Sequence, residues 1–389
     1  MNQGKYVFSQ IMSLVSHKQF QTLVRRHKGD YKVKGFTCWK QFLCMAFGQL
    51  THRESLSDTI LCLRANSDKM YHLGIGEVVA KSTLSTANEN RSYRIYSGLA
   101  NILMVEAKKL YFGHNDLELS IENSLYGIDA TTIDLCLSTF HWATFRSTKA
   151  GIKLHTQLDL KTSIPEFVSF STASVHEVNL LDVISFEANG IYVLDRGYTD
   201  FKRLYAINCA NAFFIIRAKD NLDNRRVESF PSDKDLGVLC DQSILLNSFY
   251  PAKAYPKKIR KIKFRDFATG KTLIFLTNNF NLSAVDVAQL YKHRWKIELF
   301  FKWIKQHLKI KSFWGQTENA VKTQIWIAIS VYLIVAIAKK KFLLKQSLYE
   351  ILQILSISIF ERIPINELFQ DVSKQKIEDS NCNQLKMFE

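Results

Sequence analysis

The sequence predicts an α/β protein in which a mostly helical N-terminal region precedes a strand-rich core and a helical segment follows it. Three observations carry this prediction. Apolar residues recur at helical spacing in the first ~115 residues, β-branched strand patterns take over from about Leu125, and helical spacing returns near Ser283.

In the N-terminal region, Phe36, Trp39, Phe42, Leu43, Ala46, Phe47 and Leu50 fall at three- and four-residue steps, which predicts an amphipathic helix. A second helix is expected through Leu56, Ile60 and Leu63. A polar helix is expected from Lys81 towards Arg94, with Ser82 as its N-cap; its hydroxyl, amide and basic side chains suit either a DNA-recognition helix or a solvated face. Leu125 to Leu135, Lys153 to Leu160 and Pro165 to Phe170 then read as three strands with tight connections, an antiparallel meander. A helix over Asn179 to Glu187 leads to a buried strand from Gly190 that ends in a turn at Tyr198. A helix over Phe201 to Cys209 and a strand over Ala212 to Arg217 come next.

That order of elements is the order of an RNase H-like core. Residues 218–280 read as a β-rich insertion, with strands over Lys258 to Phe264 and Thr272 to Thr277. One long helix is expected from Ser283, capped with the help of Asp286, to about Ile310. The expected division is a helical N-terminal domain over 1–115, an RNase H-like domain over 120–338 that carries the insertion, and a helical C-terminal segment and tail over 339–389.

Composition narrows the function classes. The 389 residues are 47% hydrophobic and 23% charged, as in folded rather than disordered chains. Lys and Arg number 52 against 36 Asp and Glu, a net charge of +16. Such an excess suits a polyanionic partner, although a basic ordinary enzyme or a membrane-surface protein carries one too. The seven cysteines form no CxxC pair, which argues against structural zinc and fits reduced thiols in a cytoplasm. The start MNQGKYVFSQ lacks a signal-peptide core. The longest apolar run, Ile325 to Ala338, is shorter than the ~20 residues of a membrane-spanning helix and reads as a buried core helix.

Two aspartates and one glutamate are the candidates for chemistry. Asp129 interrupts an apolar strand, where an ionised carboxylate is costly unless something such as a divalent cation compensates it. Asp195 closes a second apolar strand, at the end where open α/β sheets bind ligands. Taken alone, each is equally a turn-former or a cap. On a continuous helix Tyr291, Arg294, Glu298 and Lys305 would share one stripe about 60° wide and roughly 21 Å long. A solvated salt-bridge face is the alternative, and the aromatic density of Tyr291, Trp295, Phe300, Phe301 and Trp303 argues against it. Asp134 and Asp159 stay outside the set, the latter because it precedes a turn. His155 and His176 suit structural or peripheral roles as well as proton transfer or phosphate binding. Trp295 and Trp314 read as core residues, with stacking on a flipped base as the alternative.

The pattern Tyr-x2-Arg-x3-Glu-x6-Lys at Tyr291, Arg294, Glu298 and Lys305 resembles the signature of cut-and-paste insertion-sequence transposases of the IS-four family, within the DDE superfamily. Asp-Ala-Thr-Thr at Asp129 and Asp-Arg-Gly-Tyr at Asp195 resemble that family's two aspartate motifs. The resemblance implies catalysis by Asp129, Asp195 and Glu298 holding two Mg²⁺ ions, for which Mn²⁺ can substitute. It implies phosphate contacts from Tyr291, Arg294 and Lys305, and duplex DNA partners, namely terminal inverted repeats and target DNA. A hairpin intermediate and a homodimeric synaptic complex follow from it as well. Arg91 and Arg94 are the candidates for contacts with the terminal repeats. A nuclease without strand transfer and an inactive DNA-binding descendant are the alternatives.

Overall fold

Six helices precede the first strand among the described residues: α1 (Val7–Met12), α2 (His17–Arg26), α3 (Cys38–Leu50), α4 (Leu56–Ala65), α5 (Lys81–Asn90) and α6 (Arg94–Leu110). The computed structural model describes residues 4–370 except 78, 116, 118–120, 137, 147–148, 219–221 and 308–312, so the expected C-terminal tail beyond 370 lies outside the described residues. Ser16, Thr37 and Ser55 start α2, α3 and α4 by accepting backbone N–H bonds from Gln19, Lys40 and Asp58. α5 departs from expectation. Its N-cap is Ala80, without a side-chain bond, and Ser82 sits exposed in the first turn. Position 81 already has helical geometry, so Ser82 lies too far in to cap.

The chain divides into two units, Met1–Phe112 with Lys302–Glu389, and Gly113–Phe301. The second unit holds β1 (Leu125–Leu135), β2 (Thr144–Arg146), β3 (Lys149–Asp159), β4 (Pro165–Thr172), β5 (Ile191–Leu194), α7 (Phe201–Cys209) and β6 (Phe213–Arg217). It continues with β7 (Asn224–Ser229), β8 (Val238–Leu246), α8 (Phe249–Ala254), β9 (Ile259–Arg265), β10 (Thr272–Thr277), α9 (Ala284–Lys292) and the start of α10 (Trp295–His307). The ten strands among the described residues join one sheet, in the order β2-β3-β1-β5-β6-β10-β9-β8-β7 with β4 on β3. β1, β3 and β4 pair antiparallel, and β1, β5 and β6 pair parallel. This is the expected meander followed by parallel strands. The insertion extends the same sheet rather than folding apart, because β10 pairs antiparallel with β6.

Two expected helices differ. The crossover over 179–187 is a short 3-10 turn, Glu177–Asp182, followed by irregular chain. Leu180, Leu181 and Ile184 all bury against the sheet core, which this short segment achieves without helical periodicity. The long helix from Ser283 breaks between Lys292 and Trp295. There the bonds are three-residue ones, Arg294 N–H to Tyr291 O at 3.0 Å and Ile297 N–H to Arg294 O at 3.1 Å.

One face of the sheet is filled by Tyr126, Ile128, Tyr192, Leu194, Phe214 and Ile216 packed on Leu204 and Ile207 of α7. In the insertion, Arg260 makes a two-pronged ion pair with Asp241 (2.9 and 2.6 Å) and also donates to the carbonyls of Asn279 and Leu282, on the loop that enters α9. Both charged side chains are buried, at 7% and 4% exposure. Asp241→Asn strands the guanidinium without its counter-charge and is expected to cost about 3 kcal/mol in urea unfolding. An unchanged midpoint would mean the pair locks nothing.

Among the described residues, α11 (Glu318–Lys341) and α12 (Leu348–Ser358) follow, both in the first unit. α11 is apolar all round and packs along α3, α5 and α6, with 94% of its most apolar stretch buried. Its Asn319 accepts from the Tyr93 N–H and donates to the carbonyls of Asn88 and Arg91, fixing the α5–α6 corner. The second compact unit ends at Phe301, and α11 is counted with the first. The reason is physical: a helix with no polar face is covered on every side, and the N-terminal helices do the covering.

Candidate active site

Asp129 and Asp195 meet through sheet register. β1 and β5 pair in parallel up to Ile128 opposite Leu194, so the next rung sets the two aspartates on neighbouring strands. Side chains alternate along a strand, so both face away from the α7 side that Ile128 and Leu194 occupy. β5 is buried throughout, and β1 is buried as far as Ile128, half-buried over 129–132 and buried again at Ile133 and Leu135. The core thus opens locally at the two carboxylates, and strand carboxyl ends are where open α/β sheets bind ligands.

The break after α9 aims three more side chains at them. Tyr291, on the last turn of α9, packs on Phe275 of β10 at 4.8 Å and directs its hydroxyl to Asp195 Oδ1 at 3.5 Å. Arg294, at the break, donates to Asp129 Oδ2 at 3.3 Å and to Glu298 Oε1 at 2.5 Å. Asp129 and Arg294 are 15% and 17% exposed, so this guanidinium works in a partly desolvated place. Ile297, Phe300 and Phe301 are buried and seat the first turns of α10. The single stripe expected of a continuous helix is thus divided: Arg294 and Glu298 keep their four-residue relation, while Tyr291 approaches from a separate helix. Lys305 lies further along α10, half-buried. Trp295 is turned outward at 58% exposure, against the expectation of core packing, because the break starts a new helix at that position. Trp314 does pack, its indole N–H on the Glu54 carbonyl at 3.0 Å.

Electrostatics follow from this geometry. Burial pushes the Asp129 carboxyl up from 3.8 to about 6; its bond from the Ala130 N–H and the Arg294 charge oppose the rise, and Glu177 and Asp195 add to it. Burial also raises the Tyr291 phenol. A carboxyl held above its unfolded value favours folding while protonated, and that contribution disappears as the pH rises through about 6. Asp129→Asn keeps the neutral form at every pH. In EDTA it is expected to be about 2–3 kcal/mol more stable than the parent at pH 8, the gain shrinking to nothing below about pH 4. Urea midpoints across that range check it, and a gain independent of pH would refute it.

Three neighbours escaped the sequence reading: Tyr198, Glu177 and Lys153. Tyr198, in the Asp-Arg-Gly-Tyr turn, is fully buried, its hydroxyl finds no hydrogen-bond partner among the described residues, and the nearby charges of Asp129, Glu177 and Asp195 hold it protonated beyond what burial alone does. Glu177 lies beside Gly197, with Oε2 3.9 Å from where a Cβ would stand, and pairs with Lys153 at 3.4 Å. The tyrosine was visible within its motif; Glu177 had no local signal, because only the fold brings that turn to the strand end. His155 is structural: burial and the Lys153 charge push it down to about 4, and Nε2 bonds Ser171 at 2.7 Å. Exposed His176 precedes the Glu177 turn, and Asp159 caps the turn at Lys161 and Thr162. In the first unit, Arg91 is engaged with Gln41 at 3.0 Å and with the Phe36 carbonyl, whereas Arg94 is exposed.

Among the described residues no three carboxylate, His or Cys groups stand close enough together to enclose a metal ion. The donor chemistry nevertheless suits a hard divalent cation: oxygen ligands, one carboxylate whose charge is disfavoured by burial, and Arg294 as the cation now bonded to both Asp129 and Glu298.

Residues 123–334 match the family described as Transposase DDE domain. The chain belongs to the DDE transposase family. Residues 3–76 match a domain of unknown function, DUF4372. Among relatives, the chain is 35% identical over 218 residues to the transposase-named protein y4zB of Sinorhizobium fredii, covering 55% of this chain and 60% of that one. It is 28% identical over 259 residues to the protein named as transposase for insertion sequence element IS5377 of Geobacillus stearothermophilus, covering 65% and 66%. The chain thus spans less than two thirds of the length of these two relatives. A piggyBac transposase synaptic complex with hairpin DNA aligns at a TM-score of 0.43 and 12% identity, covering 98% of this chain and 84% of that one. That likeness is too distant to transfer residue roles. The matched segment contains the two candidate aspartates at adjacent strand ends and the candidate glutamate on the helix that follows the insertion.

Proposed function

We propose that this chain is a metal-dependent, cut-and-paste DNA transposase that cleaves element ends and joins the freed 3′-OH to target DNA. The observation that carries the reading is the convergence of Asp129 and Asp195, one rung beyond paired strand ends, with Arg294 and Glu298 from the helix break. Asp129, Asp195 and Glu298 would hold two Mg²⁺ ions, with Mn²⁺ able to substitute. Bound there, the ions lower the pKa of the attacking water or hydroxyl and neutralise charge on the phosphate.

The remaining work falls to the chain's own residues. Arg294 has a planar fork suited to a phosphate once it leaves its carboxylates, and Tyr291 orders the Asp195 side of the site. Lys305 is assigned a further phosphate contact along α10. Water attack breaks the P–O3′ bond at the element end and leaves a 3′-OH. That hydroxyl then attacks the opposite strand to form a hairpin and, after reopening, attacks a target phosphodiester, each step releasing one alcohol. Two ends must be held together, which suits a homodimer acting in the cytoplasm on the host chromosome.

The test is a joining assay: purified protein, the DNA flanking its coding sequence, a target plasmid and Mg²⁺. Covalently joined product is expected. Cut ends without joining would replace this reading with a nuclease, and specific binding without any cut would leave a DNA-binding descendant.

A further inference from the structure

An open cavity of about 560 Å³ in the first unit has the loop after α2 as one wall and α5 as the other. The catalytic chemistry makes no use of it. The loop wall is built rigidly: the Asp30 carboxylate accepts from the Cys38 N–H at 2.7 Å, and Gly29 lies so close to Ile95 and Cys38 that a Cβ would stand 2.5 and 2.6 Å from them. This anchoring holds Lys28 and Lys32 at φ of 52° and 56°, left-handed values that favour glycine and strain an L side chain. Both lysines are exposed, as are Arg25, Arg26 and Lys34 nearby, and the one acid among residues 25–34 is the inward-bonded Asp30. Tyr31 is 69% exposed, with the Lys32 ammonium 5.4 Å from its ring centre.

The opposite wall has different chemistry. Ser82, Thr86 and Asn90 recur every four residues along one face of α5, beside Thr83, and all four are exposed. Buried Leu84, Ala87 and Asn88 pin the helix from behind, with Gln41 bonded to Asn88 at 2.8 Å. Arg91 lines the cavity as a strut, its guanidinium spent on Gln41 and Phe36. Lys28 is the lysine on the wall opposite these neutral donors and acceptors, with exposed Lys32 following in the same loop. A cation facing neutral hydrogen-bonding groups is the division of labour between phosphate contact and base reading.

We infer that this cavity is a docking groove for duplex DNA at the element end, resting on the transposase reading above. Lys28 on the cavity wall, supported by exposed Lys32 of the same loop, grips the sugar-phosphate backbone, and Thr83, Thr86 and Asn90 meet base edges. The groove joins a loop of the domain of unknown function to α5, which follows that domain in sequence, and it places recognition on Lys28 and α5 rather than on the engaged Arg91.

The test uses the full chain and two labelled duplexes, one from the DNA flanking the coding sequence and one shuffled. The double variant Lys28→Ala/Lys32→Ala is expected to weaken both about tenfold and to flatten the log–log salt slope by about 1.8, roughly 0.9 for each phosphate no longer neutralised. Thr86→Ala/Asn90→Ala is expected to erase about tenfold of the preference for the flanking duplex while leaving the slope unchanged. Lys28→Gly removes the charge and the backbone strain together, so its binding should weaken while its Tm does not fall, which separates weakened DNA binding from a damaged fold. Parent-like binding by both double variants, in a protein that binds and cleaves flanking DNA, overturns the groove and leaves the transposase reading standing. Tighter binding to single-stranded RNA than to either duplex overturns the groove too. A parent that neither binds nor cuts DNA in Mg²⁺ removes the transposase reading, and the groove with it.

Discussion

Asp195→Asn is expected to abolish Mg²⁺-dependent cleavage of flanking DNA, by about 10³-fold or more, while leaving duplex binding within about twofold of the parent. The size follows from the several kcal/mol that a correctly held metal supplies in phosphodiester chemistry, each 1.36 kcal/mol being about tenfold in rate. Asn is nearly isosteric, and Asp195 stands half-exposed at the end of β5, so the strand and the turn to Tyr198 should form unchanged. The Tyr291 hydroxyl, 3.5 Å away, can still donate to the amide oxygen. Cleavage is read in a time course with end-labelled DNA, and binding by anisotropy in EDTA. Parent-like cleavage would remove Asp195 from the metal site and leave the family assignment without its second aspartate here.

How much of this was legible beforehand depended on the range of each signal. The parallel strands announced themselves as unbroken apolar runs, and β5 is buried at every position. Asp129 stood out because it interrupts such a run, and the structure shows why the run can be interrupted: burial is relaxed over 129–132 before it returns at Ile133. Local caps were also readable, as with Ser283 accepting from the Asp286 N–H at 3.0 Å. The break at His293 and Arg294 was not, since it contains no Pro or Gly and rests on three-residue bonds within an otherwise helical pattern. Glu177 and the Lys153 that holds it were invisible for another reason: no local pattern marks either, and only the fold brings Glu177 beside the turn at Gly197. The packing of α11 against the N-terminal helices could be inferred only as burial, because an all-apolar helix does not say which partners cover it.

Arg294 carries the second large expectation. In the structure it bridges Asp129 and Glu298, so it supplies the positive charge that those carboxylates need in the absence of a cation. Arg294→Met keeps much of the apolar stem and removes the charge, leaving a partly buried carboxylate pair uncompensated. The metal-free protein is then expected to lose about 2–4 kcal/mol, the range for charged hydrogen bonds removed from a partly buried site. Divalent ions should restore that stability, so the Tm rise on adding Mg²⁺ or Mn²⁺ should exceed that of the parent. Cleavage should nonetheless fall about 10²-fold, because the fork that would meet the phosphate is gone. Arg294→Lys separates charge from shape: a single ammonium can face one carboxylate but cannot span both, so stability should recover in large part and cleavage should not. Melting curves in EDTA and in metal, set beside the cleavage rates, decide the matter. If Arg294→Met responds to metal no more than the parent does, Arg294 is a structural tie unrelated to cation binding; if Arg294→Lys cleaves at the parent rate, the two-pronged geometry has no part in the reaction.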